Sequence, residues 1–177
     1  MDYMKKITKL QSVSLHDKVG AHSVVKLLLA DHKLLRTLMK KVKSHKASPK
    51  DTIKAFEVLK KAVISHVKAE EKTFLALIID HPAFKDHALE SYEEHRIHEY
   101  IYAGIKKVKD TERKVQQMKS FCEALEHHLD EEEEDLFPRF KKYFAPSTIK
   151  KVGRNYSKVR KATDKLKRER GAVRFKT

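Results

Sequence analysis

Apolar residues recur along this chain at alternating steps of three and four, the spacing of a buried stripe on an amphipathic helix. One stripe runs Val25, Leu28, His32, Leu35, Met39, Val42, and a second runs Phe56, Leu59, Val63, His66, Glu70, Phe74. A third runs Ala88, Ser91, His95, His98, Tyr102, Ile105, and a fourth Met118, Phe121, Leu125, His128, Glu132, Leu136. Between them lie breaker stretches around Pro49, Pro82 and Thr111, with a fourth around Pro146. Ser48 reads as an N-cap ahead of Pro49 at the first helical position, and Pro146 opens a further helix in the same way. Short loops between long helices imply antiparallel neighbours. The pattern predicts an all-α chain: an up-and-down antiparallel four-helix bundle followed by one more helix.

The stripes also repeat. Every member of the fourth is displaced by 62 from the second, and the third is displaced by 63 from the first. The body is therefore two copies of one helical hairpin, and the repeat shows which positions the architecture treats as equivalent. Those positions include polar residues on otherwise apolar faces. His32, His66 and Glu70 in one hairpin stand where His95, His128 and Glu132 stand in the other.

Histidine and glutamate are costly in a core unless they are hydrogen-bonded, paired or bound to metal. A separation of four residues turns a helix by about 400 degrees, so His66 and Glu70 project from one face, as do His128 and Glu132. Four imidazoles and two carboxylates with no thiolate nearby form a nitrogen and oxygen donor set too large for one structural zinc. Two ions sharing bridging carboxylates suit it better.

The series His32, His66-x-x-x-Glu70, His95, His128-x-x-x-Glu132 followed by "DLFP" resembles the hemerythrin family, in its bacterial branch with the His-His-Glu cation-binding repeat. The resemblance covers roughly Val24 to Phe144. It implies two non-haem iron ions in the bundle, with manganese or zinc as alternatives. His32, His66, His95 and His128 would be terminal ligands, and Glu70 and Glu132 would bridge. It also implies O2 or a related diatomic as ligand, serving oxygen or redox sensing, stress response or iron handling. The expected protein is a binding protein rather than an enzyme. Oxygen carriers of the family place another histidine four residues after the one on the third helix, where this chain has Glu99. His98, one residue earlier, and Glu99 are the two candidates to complete the second ion's ligands. Tyr102 is expected as a core tyrosine with its hydroxyl at the surface, and Cys122 as a small packing residue. His127, Glu131 and Glu133 lie about 100 degrees from the ligand face and are expected against neighbours or solvent.

Charge separates body from tail. The chain carries 40 Lys and Arg against 25 Asp and Glu, for a net +15. From Ala145 onward there are twelve basic residues against Asp164 and Glu169, so +10 of that excess sits in the tail. We expect an N-terminal extension over 1–18, the bundle over 19–144 and a basic helix and tail over 145–177. The tail's seam, Ile149, Val152, Tyr156, Val159, Thr163 and Leu166, predicts a helix laid on the bundle with its cations opposite the acids of the fourth helix. A protein or nucleic-acid partner is the alternative use of so basic a surface. The longest apolar run, Phe74 to Ile79, is far short of the roughly 20 residues needed to span a bilayer. A single cysteine suits a reducing compartment, so the cytoplasm is the expected location.

Overall fold

The computed structural model describes residues 23–173, with side chains through residue 163. All of its elements are helical: α1 (Val24–Val42), α2 (Pro49–Glu70), α3 (Ala76–Ile78), α4 (Lys85–Lys107), α5 (Thr111–Glu131), α6 (Phe137–Tyr143) and α7 (Pro146–Val173). A π-helical turn, Glu71–Leu75, joins α2 to α3, and a second, Glu132–Leu136, joins α5 to α6. The extension expected over 1–18 lies outside the described residues, as do His16, His22 and the side chain of Leu166.

The helix starts follow from local chemistry. Ser23 accepts a hydrogen bond from the Lys26 amide, Ser48 from the Asp51 amide ahead of Pro49, and Asp110 from the Arg113 amide. Each satisfies one of the amides that a helix leaves open at its first turn. All six positions of the first, second and fourth stripes are buried, as are five of the third. The exception, Tyr102, is half-buried.

α1 packs on α2, α4 packs on α5, and both α1 and α2 also meet α5. The apolar core comes in two clusters. One holds Phe74, Phe84, Leu136, Phe137 and Phe140 with the start of α1. The other holds Leu35, Met39, Phe56, Leu59, Phe121 and Leu125 with the far ends of α1 and α2. The buried histidines and glutamates lie in sequence between the two sets.

The π turns fall where the polar positions end. A π turn inserts one residue into the helical register. Two adjacent residues then turn inward after each insertion, Phe74 with Leu75 and Leu136 with Phe137. Backbone groups loosened by the insertion find side chains: Tyr92 donates to the Glu71 carbonyl at 3.1 Å, and Thr73 to that of Ala69 at 2.6 Å. Pro138, which has no amide hydrogen, sits just past the second π turn, where a regular ladder is already interrupted.

α7 lies against α1 and α2, burying Ile149, Val152 and Tyr156. The expectation that its cations face the acids of the fourth bundle helix falls in part on Lys165 to Lys176, whose side chains lie outside the described residues. Among the described residues those acids pair with Arg36, Lys43 and Arg139, while Arg160 of α7 is buried against Asp31 of α1. The seam positions of α7 were chosen by burial, and burial took the helix to the apolar edge of the first hairpin. No described helix is long and apolar enough to cross a membrane.

Candidate metal centre

α1 supplies His32, α2 His66 and Glu70, α4 His95 and His98, and α5 with its π turn His128 and Glu132; all seven are buried. Their donor atoms form two groups that cross between the hairpins. His32 and His66 meet Glu132, and His95 and His128 meet Glu70, with the atoms of each group within 4.8 Å of one another. Glu70 Oε2 lies 3.3 Å from His66 Nε2 and 3.7 Å from His95 Nε2. Glu132 turns Oε2 to His32 Nε2 at 3.3 Å and Oε1 to His128 Nε2 at 3.7 Å. Each carboxylate thus reaches histidines of both groups.

Both oxygens of Glu70, both of Glu132, and the Nε2 atoms of His32 and His66 are buried without a hydrogen-bond partner. Leaving such groups unpaired costs roughly 1–3 kcal/mol each, more when charged. Their convergence on one volume is the chemistry of a cation site. His95 Nε2 and His128 Nε2 also face each other at 3.2 Å.

The outer nitrogens explain why the inner ones point inward. His32 Nδ1 donates to Glu133 at 2.8 Å, His95 Nδ1 to Glu71 at 3.1 Å, and His128 Nδ1 to Glu94 at 2.6 Å. His66 Nδ1 instead donates to the Tyr156 hydroxyl at 3.0 Å, which donates in turn to Asp31 at 2.5 Å. Arg160 Nε donates to the same Asp31 oxygen at 2.8 Å. Holding the proton on Nδ1 leaves the Nε2 lone pair for a metal and fixes the ring, the usual outer support of a ligating histidine.

Sequence reasoning missed these supports, although the repeat contained them. Glu71 and Glu133 each follow a central glutamate and are displaced by 62; Asp31 and Glu94 each precede a central histidine and are displaced by 63. Glu133, assigned only to neighbours or solvent, is the neighbour that holds His32. The acidic run from Asp130 to Asp135 therefore has three faces. Glu132 enters the core, Asp130 and Glu133 meet Arg36 of α1, and Glu131 and Glu134 turn toward α4.

Electrostatics separates otherwise equivalent groups. Burial alone would lower His32 and His128, but the carboxylates around them outweigh it and raise both. Burial takes His66 down to about 4, with Asp31 only partly opposing it. Burial and the nearby charge of Glu132 push Glu70 well above the carboxylate range. Glu132 is driven the other way, the cost of its burial being exceeded by His128 and His32. Their surroundings thus push the two central carboxylates in opposite directions.

The two candidates on α4 part company. His98 is buried with Nδ1 unpartnered and its ring 5.6 Å from that of His128, and burial lowers it to about 4. Glu99 is exposed and accepts from the Tyr102 hydroxyl at 3.2 Å, so it is not brought to the central groups. Cys122 is buried, which pushes its thiol up to about 12 and leaves it inert.

No curated protein and no solved structure matches the chain. Residues 23–140, by contrast, match the hemerythrin HHE cation-binding domain, a span that begins at the cap of α1 and closes within α6, taking in every residue of the convergent groups. With two thirds of its length in that match, this chain belongs to the hemerythrin HHE cation-binding family.

Proposed function

We propose that the chain is a non-haem di-iron protein that binds O2 or a related diatomic, built as an up-and-down antiparallel four-helix bundle with α7 as an added helix. The carrying observation is the set of buried, unpartnered donors that converge from four helices. His32 and His66 would hold one ion and His95 and His128 the other, with Glu70 and Glu132 spanning both. Cross-helix pairs support the antiparallel run of the first and last bundle helices: Lys43 with Glu126, Arg36 with Asp130 and His32 with Glu133 follow in opposite senses along α1 and α5. His98 is a better supported neighbour of the second ion than Glu99, because only His98 brings an unpartnered atom into the interior.

Iron, when bound, would supply a redox-active Lewis acid that takes up a diatomic ligand. The chain's own residues do the rest. Glu71, Glu94 and Glu133 orient three rings, Tyr156 orients the fourth, and Leu28, Leu35, Leu59, Phe121 and Leu125 keep the surroundings dry. Iron per chain after anaerobic purification, followed by the visible spectrum before and after air, tests this reading. About two irons with a new absorption band on oxygenation support it. No stoichiometric iron after reconstitution refutes it.

A second reading draws on the outer face of α7, where Lys150, Lys151, Arg154 and Lys158 are exposed. That face suits a phosphate-bearing or acidic partner. Reversing these four charges should abolish a salt-sensitive association with DNA while iron content stays unchanged; an unaffected association dismisses the reading.

A further inference from the structure

Two grooves reach the convergent donors, and their charge differs. The first, about 110 Å³ between α2 and α4, is lined by Glu71 and Glu99 but also by Lys68 and Arg96, with apolar Val63 and Val67. The second, about 240 Å³ along α4 and the α5 π turn, is lined by Glu90, Glu94, Glu131, Glu132, Glu134 and Asp135. Six carboxylates in one depression are anomalous for a chain of net charge +15. Their pairing is uneven: Asp135 is paired with His87 and Arg139, Glu94 holds His128, and Glu131 meets His127. Glu90 and Glu134, both exposed, have no basic partner among the described residues. At the floor stands Glu132, 2% exposed, with both oxygens unpartnered.

We propose that this α4–α5 groove is the entry path for a hydrated divalent cation: Glu90 and Glu134 collect the ion, Glu131 and Glu94 pass it inward, and Glu132 receives it. The inference rests on the metal-centre reading above. A concave, low-dielectric wall of one sign concentrates counter-ions and speeds their arrival, an effect that falls with ionic strength. On the other acidic side of α5 the carboxylates already have basic partners, Asp130 and Glu133 in Arg36 and Glu126 in Lys43.

Metal-free full-length protein is mixed anaerobically with Co2+ at several salt concentrations, and both the rate of the cobalt visible band and the final cobalt per chain are read. Glu90→Gln with Glu134→Gln should load roughly three- to tenfold more slowly at low salt, with a flatter salt dependence and an unchanged endpoint. Glu99→Gln, in the other groove, should load like wild type. Wild-type rates in the double variant, or equal slowing by Glu99→Gln, would overturn the path alone. Failure of wild type to take up stoichiometric cobalt would overturn the centre with it.

A separate observation carries a second inference. Asp31 and Glu94 are repeat equivalents, yet Glu94 reaches its histidine directly at 2.6 Å, while Asp31 stays 3.7 Å from His66. Aspartate is one methylene shorter, and the Tyr156 hydroxyl stands in the gap. The geometry assigns Tyr156 as a positioning residue for His66, joining it to Asp31 so that α7 completes the outer support of one half of the centre.

Tyr156→Phe should weaken one of the two metal-binding steps about 10- to 100-fold in chelator competition and leave the other intact. Adding Asp31→Glu should restore that step, because removing the hydroxyl frees the space that the extra methylene needs. A merely structural tyrosine would weaken both steps together and gain nothing from Asp31→Glu. That outcome, or no change in either step, would overturn the assignment.

Discussion

The two hairpins share one plan and differ in what lies outside them. The first, α1 with α2, is covered by α7, so its histidine support runs through a buried phenol and a buried Asp31–Arg160 pair. The second, α4 with α5, borders the acidic groove and holds its histidine with Glu94, half in solvent. Equivalent histidines thus sit in unequal surroundings. A duplicated frame provides two sets of donors, and an element outside the duplication makes them chemically distinct.

The comparison breaks most completely if both halves lose one of their convergent histidines. His66→Ala with His128→Ala should abolish stoichiometric metal, read as metal per chain. Each single change should leave at most partial occupancy, since the two carboxylates touch both groups.

Truncation before Pro146 tests the cover itself. It uncovers the apolar edge of α1 and removes the buried Ile149, Val152 and Tyr156. At ~1.5–3 kcal/mol for each fully buried side chain, the loss is roughly 5 kcal/mol, enough to unfold a marginal domain. A body that melts at the full-length temperature would show that α7 is dispensable to the fold.

Proton binding in the metal-free protein sharpens the contrast. An unfolded histidine takes a proton below about 6.5, whereas folded His66 takes one only below about 4. Between those values the unfolded state holds more protons, so this residue removes stability as pH falls, by at most about 3 kcal/mol. His128, raised by Glu132 and Glu94, works in the opposite sense: its contribution is full below about 6.5 and is lost as pH rises through its folded value. Histidine-resolved NMR titration should find His128 charged and His66 neutral at pH 6. Identical titration of the two rings would erase the distinction between the halves. Metal affinity should fall as pH drops through the raised value of His128, because a ring that holds metal must be neutral.

The smallest expected effect is that of Glu99→Gln. Its exposed contact with Tyr102 is worth less than about 1 kcal/mol, so melting temperature and metal content should stay within error.

The helices and the donor set were readable because both are periodic. His66 with Glu70 and His128 with Glu132 declared themselves by breaking an apolar stripe twice at one spacing. Glu71, Glu94 and Glu133 were harder, since a residue beside the stripe looks solvent-facing on an ideal helix. The π turns bear on Glu71 and Glu133, altering the register where those side chains must lean toward a neighbouring helix, and stripe counting assumes an unaltered one. Tyr156 was visible only as a seam residue. Its hydroxyl acquires meaning from Asp31, 125 positions away, and no local pattern links the two.

Those π turns also set how the chain tolerates changes of length. A point substitution at Glu134 alters one exposed side chain. Excising it would let the second π turn revert to regular helix with the downstream face nearly unmoved, because the turn accommodates one residue more than an α-helix of the same rotation. Phe137 and Phe140 would keep their places in the core, and the departure toward α7 would be preserved. A one-residue gap inside Glu132–Leu136 is therefore a milder lesion than the same gap within α5, so alignments and variant libraries should admit one at Glu134 while keeping Glu132 and Glu133.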